Sequence, residues 1–305
     1  MRRLIINADG YGFTGGTTRA IEECVEFGTV RSLSVNVNFD HAERLTALVR
    51  RYPGISVGCH INPIVGRPVL DPKRVPSLVD ENGEFFYRSF ARRFLKGQVR
   101  IPELRAEIEA QIQRVRELAG ESFSHLDFHQ SMNRLPGLHR LFLEVAATSG
   151  VGRIRTHRNL VGMEHRSPRR KRFLYLVGHP RRLPSLLWNA WLRKKALARR
   201  LAMPDQWVGI THLGTRPDTI TVKNYVAMLG NLPLGFSEFV AHPGYVDDEL
   251  RRWSTYLDQR EREREVLLAP EFRSALEAAD VRLVGYRQIP LRDGRASGIR
   301  GDHGG

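Results

Sequence analysis

The chain has 305 residues, of which 41% are hydrophobic and 27% are charged, and its formal net charge is +15. This length suits one α/β barrel with a large core. Two features of the composition exclude other classes: no run approaches the roughly eighteen apolar residues of a transmembrane helix, and two cysteines, Cys24 and Cys59, are too few for a disulfide scaffold. The first apolar run ends at Asp9 and is too short for a secretory signal. We therefore expect a cytoplasmic protein with two buried thiols.

Strand-like and helix-like patterns alternate along the chain. Short apolar runs bounded by turn residues predict strands at 4–8, 32–38, 55–60, 124–129, 153–156, 208–213, 238–242 and 281–286. Apolar residues at helical spacing predict helices at 17–27, 41–51, 101–118, 138–149, 184–201, 222–229 and 270–279. This alternation predicts an α/β fold, a single distorted (β/α) barrel with seven or eight mostly parallel strands over 1–292. The Gly- and Arg-rich tail at 293–305 is predicted to be disordered.

Four of the predicted strands end in side chains that bind metal ions or transfer protons. Asp9 follows the first strand, His60 ends the third, Asp127 and His129 end the fourth, and His242 ends the seventh. The carboxyl ends of parallel strands meet at one mouth, where α/β enzymes place their chemistry. The sequence therefore predicts an active site for metal-assisted hydrolysis.

The same strand ends carry a resemblance to a known family. The segment Asn-Ala-Asp-Gly-Tyr-Gly at 7–12 resembles the Asn-Ala-Asp-Asp-Phe-Gly opening of the YdjC-like carbohydrate deacetylases, which include chitooligosaccharide deacetylase and a hopanoid-biosynthesis branch. The segments at 57–62 and 124–130 are similar to its Gly-Leu-His-Leu-Asn-Leu and Thr-His-Ile-Asp-Ser-His-Gln motifs. His-Pro-Gly-Tyr-Val-Asp-Asp-Glu-Leu at 242–250 matches its late motif, and Arg-Glu-Arg-Glu at 260–263 follows at a similar distance.

This resemblance implies a divalent metal ion, Mg²⁺ or Zn²⁺, and an N-acetylated saccharide as substrate. Amide hydrolysis needs a stronger nucleophile than neutral water, which a bound divalent ion supplies. His60 and His129 are the best predicted metal ligands, with Asp9 as the third ligand or as the base. Asp127 lies two residues before His129, on the same strand face, and is predicted to orient a ligand from behind. His242 precedes a Pro-Gly turn and is the predicted proton donor to the leaving amine.

Two departures from the family pattern lie at the predicted site. Where the family has a second aspartate, this chain has Gly10, and the resemblance would make that second carboxylate a metal ligand and the first one the base. Ser131 likewise stands where relatives often carry a histidine. Asp9 then shifts to the metal, with water, substrate or Asp127 completing the site; otherwise the metal binds weakly or the enzyme is degenerate.

Two further side chains are candidates for substrate binding. Arg155 lies at a predicted strand end, where it binds either substrate oxygens or an acidic partner in a salt bridge, and Tyr245 belongs to the late motif. His125, His157 and His212 are predicted to be structural or to lie at the rim of the site.

The excess positive charge is concentrated in a basic segment at 165–200. This segment contains twelve Lys or Arg residues and no Asp or Glu. Leu183, Leu187 and Trp191 belong to its helix-like apolar stripe, and Lys194 and Lys195 follow. A basic amphipathic helix lies either on an anionic membrane surface, which would place the protein at the inner membrane face, or on the barrel as a lid. Nucleic-acid binding is disfavoured because no nucleic-acid motif accompanies the charge.

Three functions remain open from the sequence. The first is a metal-dependent hydrolase that removes an N-acetyl group from an amino sugar, an oligosaccharide or a lipid-linked saccharide. The second is a catalytically silent barrel that binds a glycan or glycolipid, which Gly10 favours. The third is a membrane-surface adaptor that acts through 165–200. The sequence does not determine the oligomeric state.

Overall fold

A curled sheet of parallel strands forms the centre of the protein, whose computed structural model describes residues 1–158, 181, 183–208 and 217–292. The strands are β1 (Arg2–Tyr11), β2 (Ser32–Val35), β3 (Ser56–Ile61), β4 (Phe123–Phe128), β5 (Gln206–Val208), β6 (Gly235–Ala241) and β7 (Val281–Val284). Their order is β4-β3-β2-β1-β6-β5, with β7 paired to β1, and every pairing between them is parallel. β1 is at the centre because it pairs with β2, β6 and β7.

Single parallel bridges extend the sheet beyond β4 and towards β5. Leu126 of β4 pairs with Ile154, and Arg153 pairs with Ala202, which lies four residues before β5. The predicted strand at 153–156 is therefore present only as these bridges. They curl the sheet into a half-barrel, so the prediction of an α/β fold built on mostly parallel strands is confirmed. The greater part of the predicted strand at 208–213 lies outside the described residues.

Helices fill the connections between the strands. The described ones are α1 (Gly15–Phe27), α2 (Leu45–Arg51), α3 (Phe90–Leu95), α4 (Ile101–Ala119), α5 (Leu138–Thr148), α6 (Leu183–Ala198), α7 (Val222–Asn231), α8 (Asp248–Trp253), α9 (Asp258–Leu267) and α10 (Pro270–Ala278). Apolar periodicity predicted seven of them, within a few residues at their ends. It missed α3, α8 and α9, which are short or mostly polar.

The turn after β1 is fixed by the start of α1. Thr14 and Thr17 form a reciprocal capping box, in which each side chain accepts a hydrogen bond from the other residue's backbone N–H. The Thr17 hydroxyl also donates to the carbonyl oxygen of Gly10, at 3.2 Å. Gly10 has a φ of +100°, a left-handed conformation that favours glycine. The register of β1 against β2 therefore shifts between Asp9 and Tyr11, at the end of the strand.

The second half of the basic segment is α6, which has one buried and one exposed side. Leu192 and Ala196 are buried against the barrel. Leu183, Leu187 and Trp191 are 45%, 63% and 44% exposed. The apolar stripe therefore does not all face the core. Residues 159–180, including five of the predicted cations, lie outside the described residues, as do Arg182, His212 and the tail at 293–305. No described helix is long and apolar enough to cross a membrane.

Candidate active site

The carboxyl end of β1 holds Asp9 in a network of polar side chains. Asp9 is only 3% exposed, and Asn7, two residues earlier on the same strand face, donates from Nδ2 to Asp9 Oδ1 at 2.7 Å. Asn7 Nδ2 also donates to the Ser34 hydroxyl of the neighbouring strand β2, at 2.8 Å. These contacts fix the carboxylate in one orientation at the barrel mouth.

Strands β3 and β4 place His60 directly opposite Asp127. The two residues are partners in the parallel register, and His60 Nδ1 lies 2.9 Å from Asp127 Oδ1. Ser34 donates to the other oxygen of Asp127, at 2.9 Å. Asp127 thus orients the His60 ring through Nδ1, which leaves Nε2 available to a ligand.

Arg155 links three carboxylates that come from three different strands. Its Nη1 and Nη2 donate to the two oxygens of Asp9, at 2.6 and 2.7 Å. Nη2 also lies 2.8 Å from Asp127 Oδ2, and Nε donates to Glu238 Oε1 at 2.9 Å. Of the two roles predicted for Arg155, the described contacts match the ion pair. The guanidinium is nonetheless part of the wall of the pocket.

This cluster sets the charges of the site. Burial opposes ionisation of Asp9, but the Arg155 and His60 charges outweigh it and hold the pKa of that carboxyl well below its ordinary value. The pKa of Asp127 is lowered in the same way, against burial, by Arg155 and His60. Burial would lower the pKa of His60, yet Asp127 and Asp9 raise it overall. At neutral pH both aspartates are therefore ionised, and His60 is stabilised in its protonated form.

His129 lies immediately after β4 and faces His60. The two rings are arranged edge to face with their centroids 5.2 Å apart. Burial, together with the charges of His60 and Arg260, holds the pKa of His129 well below its ordinary value, so the ring is neutral. The next two residues, Gln130 and Ser131, both have φ of 53°, a left-handed conformation that is uncommon for residues other than glycine and typical of functional sites.

His242 follows β6 and completes the arrangement on the opposite side of Asp9. Its Nε2 lies 4.0 Å from Asp9 Oδ2, and its Nδ1 lies 3.9 Å from Glu263 Oε2. The side chain is 33% exposed. Desolvation of the ring lowers the pKa of His242, and the positive charge of Arg260 lowers it further. The negative charge of Asp9 raises it, but the pKa stays below its ordinary value. His242 is therefore a neutral imidazole at neutral pH.

Five of these side chains line one cavity at the barrel mouth: Asp9, His60, His129, Arg155 and His242. Its volume is about 380 Å³, within the size range of small-molecule sites. The residues that line it are Asp9, Gly10, Phe13, Asn36, His60, Tyr87, Phe128, His129, Gln130, Ser131, Arg134, Arg155, Thr156, His157, Asn189, Trp207, Val240, His242, Trp253, Ser254, Thr255, Tyr256 and Arg260.

Of the predicted site residues, Asp127 and Tyr245 do not line this cavity: Asp127 lies behind His60, and Tyr245 lies elsewhere. The Tyr245 hydroxyl group donates to Glu23, at 2.8 Å from Oε2, and accepts from Arg264. Among the predicted structural or rim histidines, His157 lines the cavity, whereas the ring of His125 is buried and stacks on Tyr286 with centroids 3.7 Å apart. The prediction that Tyr245 binds substrate gains no support from this position.

Three charged residues of the site were given no role in the sequence analysis. Glu238 accepts from Arg155 and from the Tyr286 hydroxyl, at 2.6 Å. Arg260 and Glu263 lie on α9, one turn apart, and both are buried. Glu263 accepts from the backbone N–H of His242 and from the Tyr256 hydroxyl, at 2.9 Å. The only sequence feature of α9 is the polar Arg-Glu repeat. Because its buried residues Arg260 and Glu263 are charged, apolar spacing does not indicate a helix there.

The donor atoms present fit a divalent metal ion. Asp9, His60 and Asp127 each offer one ligand atom within 4.8 Å of the others, so this buried cluster could hold such an ion. His129 is outside that group but adjoins it, and neither its ring nitrogens nor His60 Nε2 are hydrogen-bonded to any described residue. Neutral imidazole nitrogens are common metal ligands. A carboxylate at the position of Gly10 is the element that is missing.

Comparison with known proteins identifies the relatives of this chain. The sequence model of the family "YdjC-like protein" matches residues 3–278. A carbohydrate deacetylase of Thermoanaerobacter pseudethanolicus is 27% identical over 94% of this chain and 98% of its own length. A mouse carbohydrate deacetylase is 32% identical over 80% of this chain and 78% of its own.

A solved structure supports the same relationship at the level of the fold. An Enterococcus faecalis protein named for cellobiose-phosphate cleavage superposes with a TM-score of 0.68, covering 93% of this chain and 97% of its own, at 24% identity. The match of the family model runs from β1 to α10 and contains Asp9, His60, His129 and His242. This chain therefore belongs to the YdjC-like protein family.

Proposed function

We propose that this protein is a metal-dependent hydrolase that removes the N-acetyl group from an amino sugar, an oligosaccharide or a lipid-linked saccharide. The observation that carries the proposal is that Asp9, fixed by Arg155, faces the same cavity as His60, His129 and His242. The carbohydrate deacetylases named above support the substrate class, because one of them aligns with this chain over nearly its whole length.

His60 and His129 would hold the metal ion, with Asp9 next to them as the third ligand or as the base. A bound Mg²⁺ or Zn²⁺ would polarise the acetyl carbonyl group and lower the pKa of water. The charges of Asp127 and Asp9 stabilise the protonated His60 ring. Metal binding at His60 Nε2 therefore requires that this nitrogen lose its proton. Asp127 keeps its place behind His60 in either state through its bond to Nδ1.

Asp9 and His242 would carry a proton from the attacking water to the leaving amine. Water attacks the acetyl carbon, and Asp9 takes the proton because it is ionised and held beside the cavity. His242 Nε2, 4.0 Å from Asp9 Oδ2, is placed to accept that proton and pass it to the amine nitrogen. The C–N bond breaks, and acetate and the amino sugar leave. A neutral His242 suits this transfer, since it must first gain the proton that it donates.

The test is acetate and amine release by the purified protein from N-acetylglucosamine and N,N′-diacetylchitobiose. We expect equal amounts of the two products, and a loss of release in the presence of a chelator. A catalytically silent barrel, the alternative that Gly10 favours, would bind the same sugars without releasing acetate. Acetate release by the unaltered protein, which has Gly10, would reject that alternative.

We further propose that α6 holds the protein at an anionic membrane surface. The exposed side of this helix has an apolar row at a spacing of four residues, and two exposed cations follow it, Lys194 and Lys195. Such a combination binds anionic lipid headgroups and inserts apolar side chains at the interface. The apolar row consists of Leu183, Leu187 and Trp191.

The same helix forms part of the cavity wall, which would bring a lipid-linked saccharide to the active site. Asn189, on its buried side, lines the cavity. Trp188 donates from its indole to the carbonyl oxygen of Arg134, at 3.0 Å, and Arg134 also lines the cavity. Arg193 is not available to lipid because it donates to Thr156 and to the Pro204 carbonyl oxygen.

Co-sedimentation with vesicles tests the membrane proposal. The intact protein should sediment with vesicles that contain phosphatidylserine and much less with neutral ones, and high salt should weaken the binding. Leu187→Ser with Trp191→Ser should weaken it, and so should Lys194→Gln with Lys195→Gln. Leu234→Ser, at a site that is 73% exposed elsewhere on the surface, is the matched control. Equal sedimentation of all variants, or no preference for anionic lipid, would leave α6 as a lid and reject the adaptor function.

A further inference from the structure

Arg260 is a buried cation that lines the candidate active site and is held mainly by backbone carbonyl oxygens. It is 6% exposed and lines the cavity. Its Nε donates to the carbonyl oxygen of Tyr256 at 3.1 Å, and its Nη1 lies 3.4 Å from the carbonyl oxygen of His242. Within the described residues, no carboxylate oxygen forms an ion pair with it, although other buried charges of the site are paired. A buried guanidinium held only by carbonyl oxygens retains capacity for an anionic oxygen.

Gly10 leaves space beside this guanidinium. A Cβ atom built at Gly10 would lie 3.8 Å from Arg260 Nη1. The aspartate that the family pattern has at this point would therefore bring a carboxylate within reach of Arg260. With glycine there, the guanidinium has no carboxylate at this position, and the charges of Glu263 and Asp9 act on it only from beyond ion-pair distance within the described residues.

Arg260 lies close to the proposed base and the proposed proton donor. It contacts the backbone of His242, whose side chain faces Asp9 at 4.0 Å. It also adjoins Gly10, the residue that follows Asp9 in the chain. A substrate acyl group placed between the base and the proton carrier would therefore have Arg260 beside it.

We infer that the Arg260 guanidinium binds the acyl oxygen of the substrate and stabilises the negative charge that develops on it, an inference that rests on the proposed function. When the water oxygen bonds to the acyl carbon, the electron pair of the C=O double bond moves to oxygen, and Arg260 donates hydrogen bonds to this oxyanion without losing a proton. The pair returns when the C–N bond breaks. A positive group fixed in advance at such a point stabilises the transition state more than the neutral amide.

The test compares a stable tetrahedral anion with the neutral amide. The probes are the methylphosphonamide of glucosamine and N-acetylglucosamine, and calorimetry gives the Kd of each for the protein as purified and after dialysis against EDTA. In both states we expect Arg260→Gln to weaken binding of the phosphonamide by about a hundredfold, the usual worth of one oxyanion donor. Binding of N-acetylglucosamine should change by no more than about threefold. Arg260→Lys should retain part of the preference for the anion because it keeps the charge.

Arg134→Gln is the matched control for charge in the cavity. Arg134 also lines the cavity and has no carboxylate ion pair among the described residues, but its Nη2 donates to Ser185, on α6. This variant should keep the ratio of the two Kd values. The inference is overturned if Arg260→Gln keeps that ratio, or if Arg134→Gln loses as much of it.

A second pair of variants tests the same claim without changing Arg260. Gly10→Asp should abolish the preference for the phosphonamide in EDTA-treated protein, because the new carboxylate would pair with Arg260. Gly10→Asn has a similar size, tolerates a positive φ and adds no charge, so it should keep the preference. Equal affinities in these two variants would contradict the inference. Acetate release is measured separately, so absence of any deacetylation would reject the proposed function while the Kd ratios still decide the role of Arg260.

Discussion

Arg155 contacts both carboxylate oxygens of Asp9, at 2.6 and 2.7 Å, in a fork-like geometry that holds the proposed base in one orientation. The same guanidinium bridges Asp127 and Glu238. Three carboxylates from separate strands thus depend on one side chain that is only 13% exposed. Stability and the charge state of the active site are therefore linked through Arg155.

Replacing Arg155 with Gln should destabilise the protein strongly. The change leaves buried carboxylates without their cation, and breaking a buried ion pair in this way costs about 3–5 kcal/mol. Chemical denaturation would measure the loss in the free energy of unfolding. Arg140→Gln is the control, since Arg140 forms an exposed i,i+4 pair with Glu144 and should leave the denaturation midpoint nearly unchanged. Similar midpoints for the two variants would show that the buried cluster does not depend on Arg155.

Metal binding should depend on His60 and His129 individually. Replacing either with Ala removes one imidazole ligand without touching the core, so most bound metal should be lost while the fold is kept. Metal content by mass spectrometry and the circular dichroism spectrum would measure both effects. His41→Ala is the matched control, because His41 is exposed and pairs with Glu249. Unchanged metal stoichiometry in both site variants would refute the assignment.

His242 should contribute to turnover and not to metal binding. His242→Ala removes the group that passes a proton to the leaving amine, and positioned acid-base groups contribute about a hundredfold to ten-thousandfold. We expect kcat to fall by that amount at unchanged metal content, and added imidazole to restore part of it. Near-normal kcat in the variant would show that His242 has only a structural role.

Glu263 should make the protein less stable as the pH rises towards neutrality. Burial raises the pKa of this carboxyl to about 7 in the folded state, whereas in the unfolded chain it lies near 4.3. The folded state therefore binds more protons between these values, and its stability falls as the pH rises through that window. Glu263→Gln cannot ionise, so its melting temperature should increase relative to the unaltered protein from pH 5 to pH 7.

The control for this pH dependence is Glu277→Gln, because Glu277 is an exposed residue in a surface pair with Arg273. Its melting temperature should follow that of the unaltered protein throughout. A constant difference between Glu263→Gln and the unaltered protein over this range would show that Glu263 titrates at an ordinary pKa.

The sequence was sufficient to predict the barrel mouth because the strands that form it are apolar runs with abrupt polar ends. Asp9, His60 and His129 were all identified at such ends, and the structure places them around one cavity. Parallel topology makes this inference strong, since each strand must deliver its carboxyl end to the same side.

Other parts of the site could not be predicted because they depend on contacts between distant segments. The role of Arg155 is set by carboxylates on β1, β4 and β6, which no local pattern brings together. Helix α9 has few apolar residues and turns Arg260 and Glu263 inward, so apolar periodicity could not find it. In α6, tertiary packing leaves Leu187 and Trp191 exposed, although the sequence places both in an apolar stripe.

The central claim is that water, activated beside Asp9, cleaves the N-acetyl group of a sugar. Acetate released from N,N′-diacetylchitobiose in oxygen-18 water tests it most directly, with Asp9→Asn compared with Asp40→Asn, a change at an exposed residue. We predict acetate that carries one labelled oxygen, formed at similar rates by the unaltered protein and Asp40→Asn and at least about a hundredfold more slowly by Asp9→Asn. Acetate formation that is equal in Asp9→Asn, or absent from the unaltered protein, would contradict the account.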